Sequence, residues 1–236
     1  MPSPPSDIDV HALMRGLVHE LRNPLSAILT ASSLLQSDDN LDEESAMLLD
    51  VVQKESRRMN RILTEFSSFV KPPHPQLATF DFAHLLRSLV RELQREAVLR
   101  HSIAIHDELP ATLAVHADEI QTRQVLHHVL CNAAEAMEDG GALHFSSAVE
   151  GPTTWICIQD SGTGLAQGTL EHAFQPFFST KPTSTGLGLS IARGLLRSIN
   201  GDLTLEDVGH NGSDGAIHSA GTRVKIHLPS GDAPPD

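Results

Sequence analysis

The sequence has no tyrosine, a single tryptophan and only eight phenylalanines in 236 residues. Any core must therefore be built mostly from aliphatic side chains. Cysteine is scarce too: Cys131 and Cys157 both sit in apolar runs, and two thiols make no framework of spaced pairs. That usage points to a reducing compartment, so the expected location is cytoplasmic. Cations are outnumbered, with 17 Lys and Arg against 30 Asp and Glu, for a formal charge of −13. Neither nucleic acid nor an anionic membrane surface suits that balance as a main partner, because counterion release would not offset it. No apolar run approaches the roughly 18 to 20 residues that cross a bilayer. The opening stretch, Met1 to Val10, lacks the basic and apolar regions of a secretory signal.

What is present is an ordinary globular composition, 40% hydrophobic and 20% charged, in a chain long enough for one large domain or two modest ones. From Ile8 to Leu35 the residues Leu13, Leu17, Leu21, Leu25, Ile28 and Leu35 recur at helical spacing. Pro24 is expected to bend or loosen that helix, since it lacks an N–H. The run Ser37-Asp38-Asp39-Asn40 breaks the pattern, and Asp42 with the glutamates after it favours a new helix start. Beyond it Leu48, Val52, Glu55, Met59, Ile62, Phe66 and Phe69 step by four and three, a heptad-type seam with one polar member. A hairpin of two such helices cannot enclose its own apolar stripe. A homodimer, with two hairpins forming a four-helix bundle, is the economical solution; packing on the rest of its own chain is the alternative.

The expected boundaries are a disordered start at 1–9, the hairpin at 10–70, a semi-rigid Pro-rich linker at 71–76, an α/β domain at 77–230 and a disordered tail at 231–236. Within the α/β domain the pattern predicts helices over Phe82–Leu99, Asp118–Met137 and Leu187–Ile199. Strands are expected over Ser102–His106, Ala142–Val149 and Trp155–Gln159, and near Leu203–Leu205 and Thr222–Leu228. Strands carrying helices, with hairpin-like pairs, imply a two-layer α/β sandwich.

Several short segments carry chemistry. His19-Glu20-Leu21-Arg22-Asn23-Pro24-Leu25 lies inside the first helix, with Asn23 four residues from His19 and hence on the same face. A neutral imidazole is a competent nucleophile near neutral pH, and a carboxylate such as Glu20 on one ring nitrogen makes the other more nucleophilic. Asn132, in Asn132-Ala133-Ala134-Glu135, lies on an otherwise apolar helix, where its carbonyl oxygen is a structural hydrogen-bonder or a hard ligand for Mg²⁺. Asp160-Ser161-Gly162-Thr163-Gly164 follows a strand, and reads as a plain turn or as a ligand-binding Asp with backbone brought close by glycine. Gly186-Leu187-Gly188-Leu189-Ser190 leads into a helix whose free N–H groups face an anion; no Gly-Lys-Ser/Thr follows, so it is not a Walker loop. Between the two Gly motifs, Phe174-Gln175-Pro176-Phe177-Phe178 reads as the aromatic anchor of a lid.

In this order the segments resemble the H, N, G1, F and G2 boxes of sensor histidine kinases, over roughly residues 10 to 230. The wording around His19 and the run Phe66 to Pro72 look most like the nitrogen-regulation branch. The resemblance implies a Bergerat-type ATP-binding domain that phosphorylates His19, and a receiver-domain aspartate of a response regulator that accepts the group. It further implies that Asp160 holds the adenine amino group, that Asn132 ligates Mg²⁺, and that Gly162, Gly164, Gly186 and Gly188 shape the phosphate site and the lid hinges. Asn23 takes the position of a residue used in dephosphorylating the regulator. Three features depart from the pattern. His128 stands where a second Asn is usual, and Glu135 where a basic residue is common, which leaves Lys181 and Arg193 as candidate phosphate cations. Only about ten residues precede the first helix, so input is expected from a separate sensory protein. A docking or phosphotransfer protein without kinase activity, and an ATPase of the wider superfamily, are the alternative readings.

Overall fold

The computed structural model describes residues 10–36, 42–70, 74–165, 168–180, 184–211 and 217–231. The chain divides into two compact units, residues 1–73 and 74–236.

The first unit is a pair of helices, α1 (Val10–Gln36) and α2 (Glu43–Val70). Asp42 caps α2, its Oδ1 accepting from Ser45 N at 2.7 Å, and Glu43 and Glu44 add negative charge to the first turn. Arg22 Nη2 donates to Thr64 Oγ1 at 3.5 Å, so the middle of α1 faces the last third of α2. Leu25, Ser32, Gln53 and Ser56 are buried in this unit. Helix α1 runs through Pro24 without interruption. The ring is exposed while the neighbouring Leu25 is buried, so packing holds the turn that the proline weakens. Other apolar residues stay outside: Leu21, Ile28 and Leu35 on α1, and Leu48, Val52 and Met59 on α2, are 42% to 61% exposed. Leu13, Leu17 and Phe69 of the expected seam have side chains outside the described residues.

The second unit contains β1 (Ala78–Asp81), α3 (Phe82–Arg95), β2 (Ile103–Asp107), β3 (Ala114–Ala117), α4 (Glu119–Ala136), β4 (Gly141–Glu150) and β5 (Thr153–Asp160). After these come α5 (Thr169–His172), α6 (Gly188–Arg197), β6 (Asp202–Asn211) and β7 (Ile217–Pro229). Five strands form a sheet in the order β2-β4-β5-β7-β6, with β2 and β4 parallel and the other pairs antiparallel. The parallel pair requires a crossover, and α4 lies within it. Leu143, Phe145, Ile156, Ile158 and Ile226 alternate along the strands and are buried, as are Leu86, Leu89 and Leu93 of α3, Leu126 and Leu130 of α4, and Leu196 of α6. This is the two-layer sandwich with an aliphatic core.

Side-chain caps fix the helix starts. Asp81 Oδ1 accepts from Ala83 N, His84 N and Leu113 N at 3.0 to 3.3 Å, tying α3 to the loop before β3. Asp118 does the same for α4, with Oδ1 on Gln121 N at 2.9 Å and Oδ2 on Gln76 N at 2.6 Å.

Some boundaries differ from expectation. Helix α3 stops at Arg95 rather than Leu99, because Ala97 turns left-handed (φ 57°) and the N–H groups of Val98 and Leu99 return to Leu93 O. Strands β1 and β3 were not foreseen; each has four residues and they pair with one another as a small antiparallel sheet, with Val115 of β3 also bridging to Ser230. Strands β6 and β7 extend well beyond the short segments expected. Gly231, placed in the tail, donates to Ala114 O at 3.0 Å. The expected segments 1–9 and 232–236, and Lys71 to Pro73 of the linker, lie outside the described residues.

Candidate functional site

The buried centre of the second unit's site is Asp160, the last residue of β5. Its Oδ1 accepts from Gly162 N at 2.9 Å and Thr222 N at 3.1 Å, which fixes the carboxylate against two backbone donors. Gly221 makes this possible. At φ 132° its position suits only glycine, and a Cβ there would lie 1.9 Å from Asp160 O. The loop beyond Asp160 is pinned to its neighbours: Thr163 N donates to Ala136 O at 3.1 Å, and Ser161 exchanges hydrogen bonds with the Ala142 backbone at 2.9 and 3.0 Å. Gly162 thus packs on the end of α4, and Gly164 (φ 68°) turns the chain away.

Asn132 is half-buried on α4, and no other described residue hydrogen-bonds its amide. One turn earlier, His128 is also half-buried, with Nε2 shut off from solvent and without a partner. Burial, with the neighbouring His127, pushes the His128 pKa down to about 4, so the ring is neutral at pH 7. A Cβ on Gly188 would meet its Nδ1 at 3.2 Å, which places α4 and the start of α6 side by side. Helix α6 has no side-chain cap, so its first-turn N–H groups have the anion-facing arrangement expected of the Gly-rich turn.

The two flanks of the lid also meet. Phe177 takes a left-handed conformation (φ 66°) and donates from N to Gly186 O at 3.1 Å. Gly186 is itself left-handed (φ 67°), and a Cβ there would lie 2.6 Å from Phe177 C and Phe178 O. Phe174 lies under the Arg193 guanidinium, with Cζ 4.4 Å from the ring centroid. Arg193 does not stand free as a phosphate cation would: its Nε and Nη2 donate to the two Asp202 carboxylate oxygens at 2.9 and 3.4 Å. Arg197 reaches the same carboxylate at 3.2 Å. Burial alone would raise the Asp202 pKa, but the hydrogen bonds from Arg193, Arg197 and Leu203 N outweigh it and hold the carboxyl well below the usual range.

A cleft of about 400 Å³ opens beside this region, lined by Glu135, Glu138, Asp139, Gly162 and Thr163 among others. Neither Asn132 nor Asp160 lines it, and its three carboxylates oppose a polyphosphate. Lys181 lies outside the described residues. In the first unit His19 and Glu20 belong to α1, their side chains outside the described residues, and Asn23 is exposed. The Thr222 N–H on Asp160 and the Arg193–Asp202–Phe174 cluster escaped the sequence. The first had only the Gly221-Thr222 pair as a signal, and the second joins residues with no local pattern.

The residues present fit a metal-bound nucleotide. Asn132 has an uncommitted amide oxygen of the hard type Mg²⁺ prefers, and the uncapped α6 suits a phosphate. An α/β sandwich of this kind, in one chain with a helical pair that carries a histidine, is compatible with a phosphoacceptor domain joined to an ATPase domain. Residues 10–75 match the His Kinase A (phospho-acceptor) domain, and residues 117–232 match the histidine kinase-, DNA gyrase B- and HSP90-like ATPase. The chain belongs to the histidine kinase family. It is 30% identical over 220 residues to the sensor histidine kinase ZraS of Escherichia coli O157:H7, covering 92% of this chain and 45% of that protein. The chain therefore spans less than half of that relative's length. The fold is shared with full-length ShkA, solved with AMPPNP, at TM-score 0.78 and 22% identity over 95% of this chain and 47% of that one. It is shared also with the histidine kinase ThkA, solved with the response regulator protein TrrA, at TM-score 0.65 and 23% identity over 93% and 61%.

Proposed function

We propose that this protein is a two-component kinase that phosphorylates His19 from Mg-ATP and passes the phosphoryl group to a receiver-domain aspartate of a response regulator. The observation that carries this reading is the convergence around α4: an unpartnered Asn132, a braced Asp160 and the uncapped start of α6. Asp160 accepts from the adenine amino group, and Asn132 holds Mg²⁺ through its carbonyl oxygen. When bound, Mg²⁺ neutralises charge on the phosphates and orients them. Gly162, Gly164, Gly186 and Gly188 shape the phosphate site and lid hinges, and Lys181 supplies lid charge. The His19 nitrogen attacks the γ-phosphorus, the bond to the ADP oxygen breaks, and Glu20 on the other ring nitrogen supports the charge that develops. Transfer to the regulator then breaks the P–N bond and forms an acyl phosphate. Asn23, one turn from His19, holds a water in line with that acyl phosphate for the reverse, hydrolytic activity. Positioning and charge neutralisation do most of the work.

The exposed stripe of α1 and α2 supports a homodimer, in which a second hairpin covers Leu21, Ile28, Val52 and Met59. Among the described residues no helix is long and apolar enough to cross a membrane; the reading places the protein in the cytoplasm. The full chain with Mg²⁺ and γ-labelled ATP should acquire an acid-labile, alkali-stable label. His19→Gln should bind nucleotide normally and take none; labelling that persists in this variant would overturn the assignment.

A further inference from the structure

The lid of the second unit leaves the body of the domain at the F box and returns at Gly186. Its return is fixed locally by the Phe177 N–H on Gly186 O at 3.1 Å. Its departure is fixed differently. Phe174 is half-buried, preceded by the buried Ala173, and its ring is covered by a guanidinium from well inside α6. Arg193 uses both aspects of its planar group. Its Cζ lies over the Phe174 ring, 4.4 Å from the centroid, while Nε and Nη2 fork onto Asp202 at 2.9 and 3.4 Å. A guanidinium can do both at once because it is flat and its donors lie in the plane; an ammonium has no such fork. Arg197 braces Asp202 from the same helix, so the carboxylate is a fixed post to which Arg193 is tied.

We propose that Arg193 is a positioning residue that clamps the F box to α6 and β6, and that it acts on nucleotide only by setting where the lid begins. This deepens the nucleotide-site reading above and rests on it. A clamp of this kind explains why a cation near the Gly-rich helix has its charge committed to Asp202. It also assigns Phe174 a partner: the aromatic anchor is held by a cation–π contact rather than by apolar packing alone. Without the clamp the F box keeps its tie at Gly186 and the local contacts of His172 with Gln175 N and the Phe178 ring, but loses its anchor to α6, and it moves with larger amplitude about Gly168 and Ala173.

The test uses the full chain and three variants: Arg193→Lys, Phe174→Leu and the double. Hydrogen exchange of the amides of Gln175, Phe177 and Phe178 is followed without nucleotide, and AMPPNP affinity is measured by calorimetry. The clamp predicts that each single variant speeds exchange at these amides by about tenfold. It predicts that each weakens AMPPNP by roughly five- to tenfold, and that the double is no worse than the poorer single. Phe174→Leu keeps the Arg193–Asp202 pair, so a general loss of folding in the Arg193 variant cannot imitate this result. A direct phosphate contact predicts the opposite pattern: Arg193→Lys retains affinity, Phe174→Leu leaves it unchanged, and exchange stays at the wild-type rate. That outcome would overturn the clamp. Failure of the wild-type chain to bind AMPPNP would contradict the nucleotide reading instead, and the exchange measurement, which needs no nucleotide, would still decide the anchor.

Discussion

The two units of this chain solve the same problem with different completeness. Both are built on apolar residues at regular spacing, but the α/β unit covers its apolar face within one copy. Leu126, Leu130, Leu143, Ile156 and Leu196 are all but excluded from solvent. The helical unit buries Leu25 and a polar row of Ser32, Gln53 and Ser56, and leaves a stripe of leucine, isoleucine, valine and methionine in water. The chemistry follows the same division. Asp160 is braced by Gly162 and Thr222 and sealed by the close approach of Gly221, so the nucleotide half is organised before any partner arrives. The acceptor half carries Asn23 on an exposed helix face, open to whatever docks there. On the proposed reading, one unit would hold a small molecule and be finished as a monomer, while the other would exchange a phosphoryl group with proteins and be finished by them.

Several experiments would break or sharpen that contrast. The largest effect is expected from Ile28→Glu, which places a charge in the stripe that a second copy would cover on the proposed reading. It should cost several kcal/mol per dimer and give a monomer by light scattering at micromolar concentration, with the melting of the α/β unit unchanged. Next comes Asp160→Ala. Losing a fixed, charged acceptor should weaken ATP and metal-free nucleotide alike by roughly 100-fold in calorimetry. Asn132→Ala should instead weaken Mg-ATP far more than metal-free nucleotide. A smaller effect concerns His128, whose folded ring stays neutral down to about pH 4 while its unfolded value is 6.5. The unfolded chain therefore binds the extra proton between those values. Stability from this group is complete above pH 6.5 and declines as pH falls toward 4, by roughly 2–3 kcal/mol. His128→Gln should flatten that part of the stability curve in chemical denaturation. Smallest is Asn23→Ala, expected to slow dephosphorylation of the regulator about tenfold, near 1.4 kcal/mol, while His19 labelling and forward transfer stay close to normal. A parallel fall in all three rates would make Asn23 a support for the Pro24 turn and nothing more.

How far the sequence could be read depended on whether the signal was local. The helical pair, the aliphatic core and the strands that carry Trp155 and Ile226 follow from periodicity, and the segments from His19 to Gly188 carry their own motifs. The end of α3 was hidden because Ala97, rather than a glycine or asparagine, takes the left-handed position. Strands β1 and β3 were hidden because four residues leave no room for a period to show, and their pairing spans the whole of α3 and β2. Pro24 suggested a loosened turn, and the burial of Leu25 beside it holds the helix continuous there. Arg193 looked like a free cation because sequence shows its charge but not Asp202 or Phe174, which come to it from β6 and the lid. In each case a contact distant in sequence decided what the local pattern could not.

The contrast between a self-sufficient nucleotide unit and an acceptor unit completed by its partners is tested most directly by separating them. Residues 74–236 and residues 1–73 would be prepared as two polypeptides, mixed with Mg²⁺ and γ-labelled ATP, and resolved by gel. The account predicts that residues 74–236 melt cooperatively and bind nucleotide alone, that residues 1–73 are dimeric, and that acid-labile label appears on the helical fragment only, through His19. Label on residues 74–236, or nucleotide binding by that fragment with no label transferred to a dimeric hairpin, would contradict it.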